Sequence, residues 1–407
     1  MAATTRTLTV VLAGGAGGRL GVLTQRRAKP ATPFAGVYRL IDFPLSNCAH
    51  SGLSDVWIVQ QYQPVSISDH LANGRPWDLD RSEGGLMVLH PFQSDDASEG
   101  GFHQGTADAL HRNARFIREF DPDVLLVMSA DHIYTLDLRD LVSRHRDAGG
   151  DITMVTTRVH RDDPSRFGVV QVGDDGRIGA YERKPERPAS DIVTTEVFAF
   201  SPDALLDALE EAASSHADDD TGLEDIGDEV LPAMAAAGRA WELRLPGYWR
   251  DVGTIPSYWD AHMQLLRDGD GVDLHDPAWP IMTTRLRHPP AHVARGAAVH
   301  DSLLSPGCSV RGDVGRSVVS PGVVVEAGAV VRDSVLLPGA VIAGGARIDT
   351  AIIDTDARVG ADAVVGEAWT GEDVPPPEHM TIVGWGARVS PGVTVPRGSQ
   401  LDATDPR

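Results

Sequence analysis

The chain has 407 residues, 42% of them hydrophobic, and a formal charge of −22 at pH 7. That length and composition suit a globular protein of two domains, and the charge excludes nucleic acid and anionic membrane as partners, because either demands an electropositive face. The two cysteines, Cys48 and Cys308, have no metal-ligand spacing and suit a reducing cytoplasm, nothing at the N-terminus reads as a signal peptide, and no apolar run reaches the roughly 18 residues of a membrane span.

The first element is an apolar strand around Leu8, Val10, Val11 and Leu12 that opens into a loop carrying Gly14, Gly15, Gly17 and Gly18. Arg19, Arg26, Arg27 and Lys29 follow directly. Glycines let backbone N–H groups approach an anion, and long cations neutralise its charge, so the stretch reads as a phosphate cradle suited to a triphosphate. Leu20 stands where G-x-G-x-x-G needs its third glycine, and no Gly-Lys-Ser/Thr follows, so neither a dinucleotide-binding dehydrogenase nor a P-loop NTPase is indicated. From Met1 to Ile41 there is no Asp or Glu, a basic pole in an acidic protein. The chain has only two lysines, Lys29 and Lys184, each immediately before a proline, which marks both as places where a compact ammonium is wanted.

Residues 1 to about 265 alternate strand-like and helix-like runs, as expected of an α/β domain with a largely parallel sheet. Val56 to Tyr62 reads as the second strand. Gly105-Thr106-Ala107-Asp108 is a small-residue turn into a helix, where a nucleotide base has access to the backbone. Val124 to Ser129 reads as a buried strand ending in Ala130-Asp131-His132, and ligands of such sheets collect at carboxyl strand ends, so Asp131 is placed to hold a metal. Further strands are read at Ile152 to Val159, Phe167 to Val172 and Ile178 to Tyr181, with Lys184-Pro185 after them. Asp203 to Ala213 reads as an acidic amphipathic helix and Ser214 to Asp220 as a surface loop. In Trp249-Arg250-Asp251-Val252-Gly253-Thr254 a carboxylate sits in a turn before a helix that starts near Ser257; Asp251 can be a metal ligand, a cap or a partner for Arg250.

Past Pro280 a hexapeptide repeat begins. Val318, Val324, Val330, Leu336, Ile342 and Ile348 are spaced by six, Ile353, Val359 and Val365 resume after a shift, and Val383, Val389, Val395 and Leu401 close the series. Each is expected to point into a parallel β-helix, and residues 366 to 381, with Pro375-Pro376-Pro377, are expected to loop out.

With these motifs in view the chain resembles the ADP-glucose pyrophosphorylase (glucose-1-phosphate adenylyltransferase) family. The resemblance is carried by GGAGGRL and RAKP (14–20, 27–30), YRLIDFPLSNC (38–48), QYQ (61–63), GTADAL (105–110), ADHIY (130–134), FGV (167–169), KP (184–185), YWRDVGT (248–254), WPI (279–281) and HPPAHV (288–293). It implies a Rossmann-like α/β nucleotidyltransferase domain at 1–265, a linker at 266–295 and a left-handed parallel β-helix at 296–407. It also implies a cytoplasmic, allosterically controlled homotetramer assembled through the β-helix, which makes ADP-glucose and pyrophosphate from ATP and glucose 1-phosphate with Mg²⁺, for glycogen synthesis. Carried over residue by residue, Arg19 and Lys29 match the cations around the reacting phosphates, and Asp131 and Asp251 the metal-binding pair. Gly14, Gly15, Gly17, Gly18, Gln61, Gly105 and Thr106 fall at the nucleotide, and Lys184, Asp225 and Trp249 at the sugar phosphate.

Departures from the family cluster on the sugar side. Arg183 replaces a glutamate before Lys184, Thr194-Thr195-Glu196 replaces a Ser-Met-Gly-like turn, and Phe198 and Ile226 replace a tyrosine and another aromatic residue; on the nucleotide side Ala16 and Gly18 replace an Arg and a Thr. Arg183 beside Lys184 puts two cations where the family has an ion pair, and Glu196 is the carboxylate available to compensate. The expectation is ATP preference with relaxed use of glucose 1-phosphate. Two alternatives stay within the family: an adenylyltransferase for another hexose 1-phosphate, and a catalytically weak regulatory paralogue. A hexapeptide acyltransferase needs a histidine base in its coils, and His300 and His379 only flank the hexads.

Overall fold

A computed structural model of the chain describes residues 5–15, 17–91, 103–159, 163–215, 223–267, 269–285 and 287–404. Ala16 and most of the loop read at Ser214 to Asp220 lie outside the described residues; Ser214 and Ser215 complete the helix Pro202–Ser215. The chain divides into two compact units, the first built from residues 1–15, 43–64 and 71–249, the second from 16–42, 65–70 and 250–407.

In the first unit the strand Thr7–Ala13 lies between two parallel neighbours, Asp55–Gln60 and Val124–Ser129. Val-Leu-Leu-Val-Met is buried from end to end, which a parallel strand covered on both faces requires. Gly85–Leu89 extends the sheet in parallel beyond Asp55–Gln60, while Ile192–Phe200 pairs antiparallel with Val124–Ser129. Ile152–Arg158 and Gly168–Val172 both join Ile192–Phe200, and Ala240–Arg244 and Ile178–Arg183 complete nine strands. The register sets Leu12 beside Ser129 and Ala13 beside Gln60. Gly14, Gln61 and Asp131 therefore all emerge from one carboxyl edge. Helix Pro202–Ser215 buries Leu205, Leu206 and Leu209 in the core that also holds Phe198 and Phe200, and Val230–Ala236 adds Leu231 and Met234 to it.

In the second unit three parallel six-stranded sheets form the left-handed β-helix. Its inward rows are Val319, Leu336, Ile353, Val383 and Leu401 on one side, Val325, Ile342, Val359 and Val389 on the next, and Val314, Val331, Ile348, Val365 and Val395 on the third. This corrects the hexad register. Val324 and Val330 are half-buried and Val318 is buried outside this core, while their neighbours Val325, Val331 and Val319 point in. One coil takes steps of six, six and five residues, 319 to 325, 325 to 331 and 331 to 336. At the short step Ser317 and Ser334 accept backbone N–H bonds from Ser334 and Ala351 of the following coil, each bridging 17 residues. The Val-Val pairs at 318–319, 324–325 and 330–331 make both registers look apolar in sequence. Between the strands Val364–Gly366 and Thr381–Val383 the chain loops out as expected.

The segment 16–42 packs within this second unit. A Cβ on Gly21 would collide with Gln400, and one on Gly36 with Ser305. Arg27, 1% exposed, donates from Nη2 to Asp354 Oδ1 at 2.8 Å and lies over the ring of Trp385. Helix Ile255–Gln264, started by a Thr254/Ser257 capping box, sends the Tyr258 hydroxyl to the Pro33 carbonyl and Trp259 Nε1 to the Asp333 carbonyl.

Candidate active site

Of the four loop glycines, only Gly17 is demanded by the fold. Its φ is +67°, and a Cβ there would press on Thr24 and on Lys29 Cβ, whereas at Gly15 and Gly18 a Cβ would meet open space and at Gly14 ordinary contact. Open backbone at 14, 15 and 18 is what close approach by a phosphate uses. Arg19 is exposed, with no ion pair found among the described residues. Arg27 is no part of the cationic cradle, since its charge is spent on the buried Asp354.

Lys29 begins a single 3₁₀ turn, Lys29–Ala31, whose Pro30 takes the early position where no N–H is missed. The turn is anchored at both ends: Ala28 N donates to Ser66 Oγ at 3.0 Å, and Arg39 Nη1 donates to the Ala31 carbonyl at 2.5 Å. Arg39 Nε also donates to His70 Nδ1, so the ring carries its proton on Nε2 and gives it to the buried Asp42. So held, Lys29 Nζ lies 3.6 Å from Asp251 Oδ1, with the two side chains 9% and 10% exposed. Asp251 Oδ1 also accepts from Gly253 N at 2.8 Å. A side chain at Gly253 would displace the pair: a Cβ would stand 2.8 Å from Asp251 Oδ1 and 3.0 Å from Lys29 Nζ. Arg250 is buried against Asp260 at 2.9 Å, and Gln264 donates to the same carboxylate.

In the first unit Asp131 follows the end of Val124–Ser129, where Ser129 Oγ donates to its Oδ1. His132 donates from Nδ1 to the Thr195 carbonyl at 3.0 Å, which leaves Nε2 toward Asp131 Oδ1 at 3.7 Å and Glu196 Oε2 at 3.8 Å. Its ring meets Trp249 edge to face, and Trp249 meets Phe167 in the same way. The indole Nε1 of Trp249 is buried with no hydrogen-bond partner found among the described residues.

Gln61 Nε2 donates to the His103 carbonyl and its Oε1 accepts from His103 N, at 2.8 and 2.7 Å. Its amide is thus locked to one backbone site. Gly105 and Thr106 support the segment that carries Asp225: Thr106 Oγ1 accepts from Ile226 N, Ala107 N donates to the Glu224 carbonyl, and a Cβ on Gly105 would collide with Glu224. Lys184, at φ +46°, is exposed with no side-chain partner found among the described residues. Arg183 finds its counter-charges in Asp225 and Asp228, at 3.1 and 2.9 Å. The carboxylate read as its compensation, Glu196, instead occupies a left-handed bulge, φ +56°, beside His132. His300, read as flanking the coils, lies exposed in the coil strand Ala298–His300, and His379 donates from Nε2 to the Glu367 carbonyl and packs on Trp369, so it is committed to the inserted loop.

Comparison with known proteins agrees with this picture. Residues 8–268 match the nucleotidyl transferase family, and residues 289–373 the GlmU-like C-terminal hexapeptide family. The fold and its residues define a nucleotidyltransferase with a hexapeptide β-helix, a class that generally works with divalent metal ions. A glucose-1-phosphate adenylyltransferase of Thermomicrobium roseum is 43% identical over 398 residues, covering 95% of this chain and 91% of that protein. Enzymes of the same name from Clostridioides difficile and Thermotoga maritima are each 40% identical over 328 residues, 80% of this chain and 84% and 76% of theirs. The chain belongs to the glucose-1-phosphate adenylyltransferase family.

Proposed function

We propose that this chain transfers the adenylyl group of ATP to glucose 1-phosphate, forming ADP-glucose and releasing pyrophosphate. The observation that carries the reading is the buried Lys29–Asp251 pair packed on Gly253. A buried ammonium fixed beside a carboxylate is placed to meet a phosphate, and its turn is anchored so that binding orders little further. A sugar phosphate oxygen forms a bond to the α-phosphorus as the bond from that phosphorus to the bridging oxygen of pyrophosphate breaks, so the protein's task is positioning and charge neutralisation. Lys29 and the exposed Arg19 neutralise the nucleotide phosphates, the open backbone at Gly14, Gly15 and Gly18 approaches them with Gly17 setting the turn, and Gln61, Gly105 and Thr106 shape the nucleotide side through the backbone they fix. Lys184 takes the sugar phosphate, and Asp225 and Trp249 the ring. The buried indole N–H of Trp249, with no partner among the described residues, supports a polar ligand there.

The metal in this reading is Mg²⁺, held by Asp131 and Asp251. Both offer hard carboxylate oxygens, the donor type Mg²⁺ takes, and the Ser129 hydroxyl holds Asp131 in orientation. When bound, the ion neutralises charge on the phosphates. A cytoplasmic location and a homotetramer joined through the β-helix belong to the same reading. Among the described residues no helix is long and apolar enough to cross a membrane. In sequence terms we retain 1–265 as the transferase block, 266–295 as a linker and 296–407 as the β-helix.

Arg183 favours keeping a second reading, an adenylyltransferase with relaxed choice of hexose 1-phosphate, because the family's glutamate is absent. Pyrophosphate release with ATP and glucose, galactose, mannose or glucosamine 1-phosphate tests both. Turnover best with glucose 1-phosphate is expected; equal rates establish the second reading, and no turnover with any sugar leaves the regulatory paralogue. Light scattering is expected to give four times the chain mass, and a monomer would overturn the assembly.

A further inference from the structure

Arg183 is the last residue of the strand Ile178–Arg183, and its guanidinium crosses to the segment Leu223–Asp228. Nη2 donates to Asp225 Oδ2 at 3.1 Å and Nη1 to Asp228 Oδ1 at 2.9 Å. The backbone of that segment has other anchors, through Thr106 Oγ1 and Ala107 N. It also lies directly on the strand, since a Cβ on Gly227 would stand 2.9 Å from Arg183 Cδ and 2.7 Å from the Tyr181 hydroxyl oxygen. The main chain is therefore located without the ion pair. What Arg183 adds is the orientation of one carboxylate.

Asp225 Oδ1 accepts from Gly227 N at 2.9 Å, and Oδ2 from Arg183. A carboxylate has about four acceptor positions, so two bonds fix its plane and leave capacity for two hydroxyl donors. The Asp225 side chain is 37% exposed, enough to meet a ligand, and an unrestrained aspartate at that exposure rotates freely. The guanidinium charge is balanced twice over by Asp225 and Asp228, so no uncompensated cation competes with Lys184 for the phosphate.

We infer that Arg183 is a positioning residue for sugar recognition, acting through Asp225, whose carboxylate it holds ready for the hydroxyls of a hexose 1-phosphate. The inference rests on the reading of Asp225 as a sugar contact. It reverses the effect expected from replacing the family's glutamate: a direct hydroxyl acceptor is lost, and a fixed one is gained. Because all three charged groups are about a third exposed, the network contributes little to stability, and its effect belongs in substrate binding.

The test is a cycle of Arg183→Ala, Asp225→Asn and the double variant, with Arg183→Lys as the conservative replacement. KM for glucose 1-phosphate and for ATP, kcat and the melting temperature are measured for each. Arg183→Ala is expected to raise KM for glucose 1-phosphate about tenfold, the usual effect of losing a charge-assisted hydrogen bond that orders a ligand group, with KM for ATP and the melting temperature unchanged. Arg183→Lys, which keeps one donor, falls between, and the double variant is no worse than Asp225→Asn alone. An unchanged sugar KM in both Arg183 variants, or effects of Arg183→Ala and Asp225→Asn that multiply in full, would overturn the inference. If Asp225→Asn itself leaves the sugar KM unchanged, it is the sugar-site reading of Asp225 that falls. Should Arg183→Ala fail to fold, the claim of little structural weight is refuted, and Arg183→Lys still decides the coupling.

Discussion

Lys29 and Asp251, 222 positions apart in the sequence, form a buried ion pair over a glycine that leaves no room for a methyl group. Asp251 ends the strand Trp249–Asp251, and two positions on Gly253 donates its N–H to the carboxylate while its lack of a side chain clears the ammonium.

Gly253→Ala should therefore lower kcat at least about tenfold while the protein remains folded, because the added methyl displaces either the carboxylate or the ammonium by a few tenths of an ångström. Lys29→Gln should cost more, on the order of a hundredfold or above, since it removes the charge itself. Steady-state kinetics beside far-ultraviolet circular dichroism checks both. Full activity in Gly253→Ala would show that the pair has no catalytic part.

Removal of divalent metal with EDTA should stop pyrophosphate release, and added Mg²⁺ should restore it. Asp131→Asn and Asp251→Asn should each weaken metal-dependent nucleotide binding and abolish turnover, as loss of a hard oxygen ligand would. Mn²⁺ serves as the probe, its paramagnetic relaxation reporting binding in the presence of ATP. Wild-type relaxation in both variants would exclude these two carboxylates as ligands.

Two buried histidines give the stability a defined pH dependence. Burial pushes the imidazoles of His262 and His145 down from about 6.5 to about 4. His262 is neutral in its contacts, with Nδ1 donating to the Tyr258 carbonyl and Nε2 accepting from Ala35 N. Below about pH 6.5 the unfolded chain binds protons that the native chain does not, so this stability is fully present above that pH and is lost as pH falls toward 4. Thermal melts from about pH 7 down to about pH 4.5 should show the decline, and His262→Gln should flatten it. Parallel wild-type and variant curves would contradict the assignment.

Arg27→Ala should destabilise the protein by about 3 kcal/mol, because it strands the buried Asp354 carboxylate without its partner. Burial already raises the pKa of that carboxyl, with Arg27 and the Thr355 amide opposing. Arg27→Met combined with Asp354→Leu should recover most of the loss, since an apolar pair needs no partner. Urea unfolding of both variants beside wild type measures this; Arg27→Ala as stable as wild type would mean that water reaches Asp354.

Much of this was readable from residues alone where one local pattern had one solution. Val124–Ser129 could only be a buried strand, and the proline-rich stretch after Gly366 could not continue a coil. The register of the β-helix was not readable in the same way, because doubled valines satisfy two phases and only the serine bonds between coils choose. Nor could spacing reveal that Arg27 serves Asp354, or that Arg183 is met by Asp225 and Asp228 instead of Glu196. Those partners lie 327, 42 and 45 residues away, and opposite charges are common at such distances in sequence. One signal was available. Asp354 directly follows the apolar Ile352-Ile353, and a charge at a coil corner invites the search for a buried cation.

The five-residue step at 314–319, 331–336 and 348–353 also sets the grain on which this part of the chain can change length. Excising the stretch 331–347 would rejoin like to like, because the serine ladder and all three inward rows resume on their own sides. Excising a single hexad would turn every later side chain onto the wrong face and leave the serines opposite a long side. Additions at a corner escape this constraint, as the excursion between Gly366 and Thr381 already does, delivering the chain to the next side, beside Ala351–Ile353. Lineages of this solenoid should therefore differ by whole turns or by corner loops, and seldom by anything between.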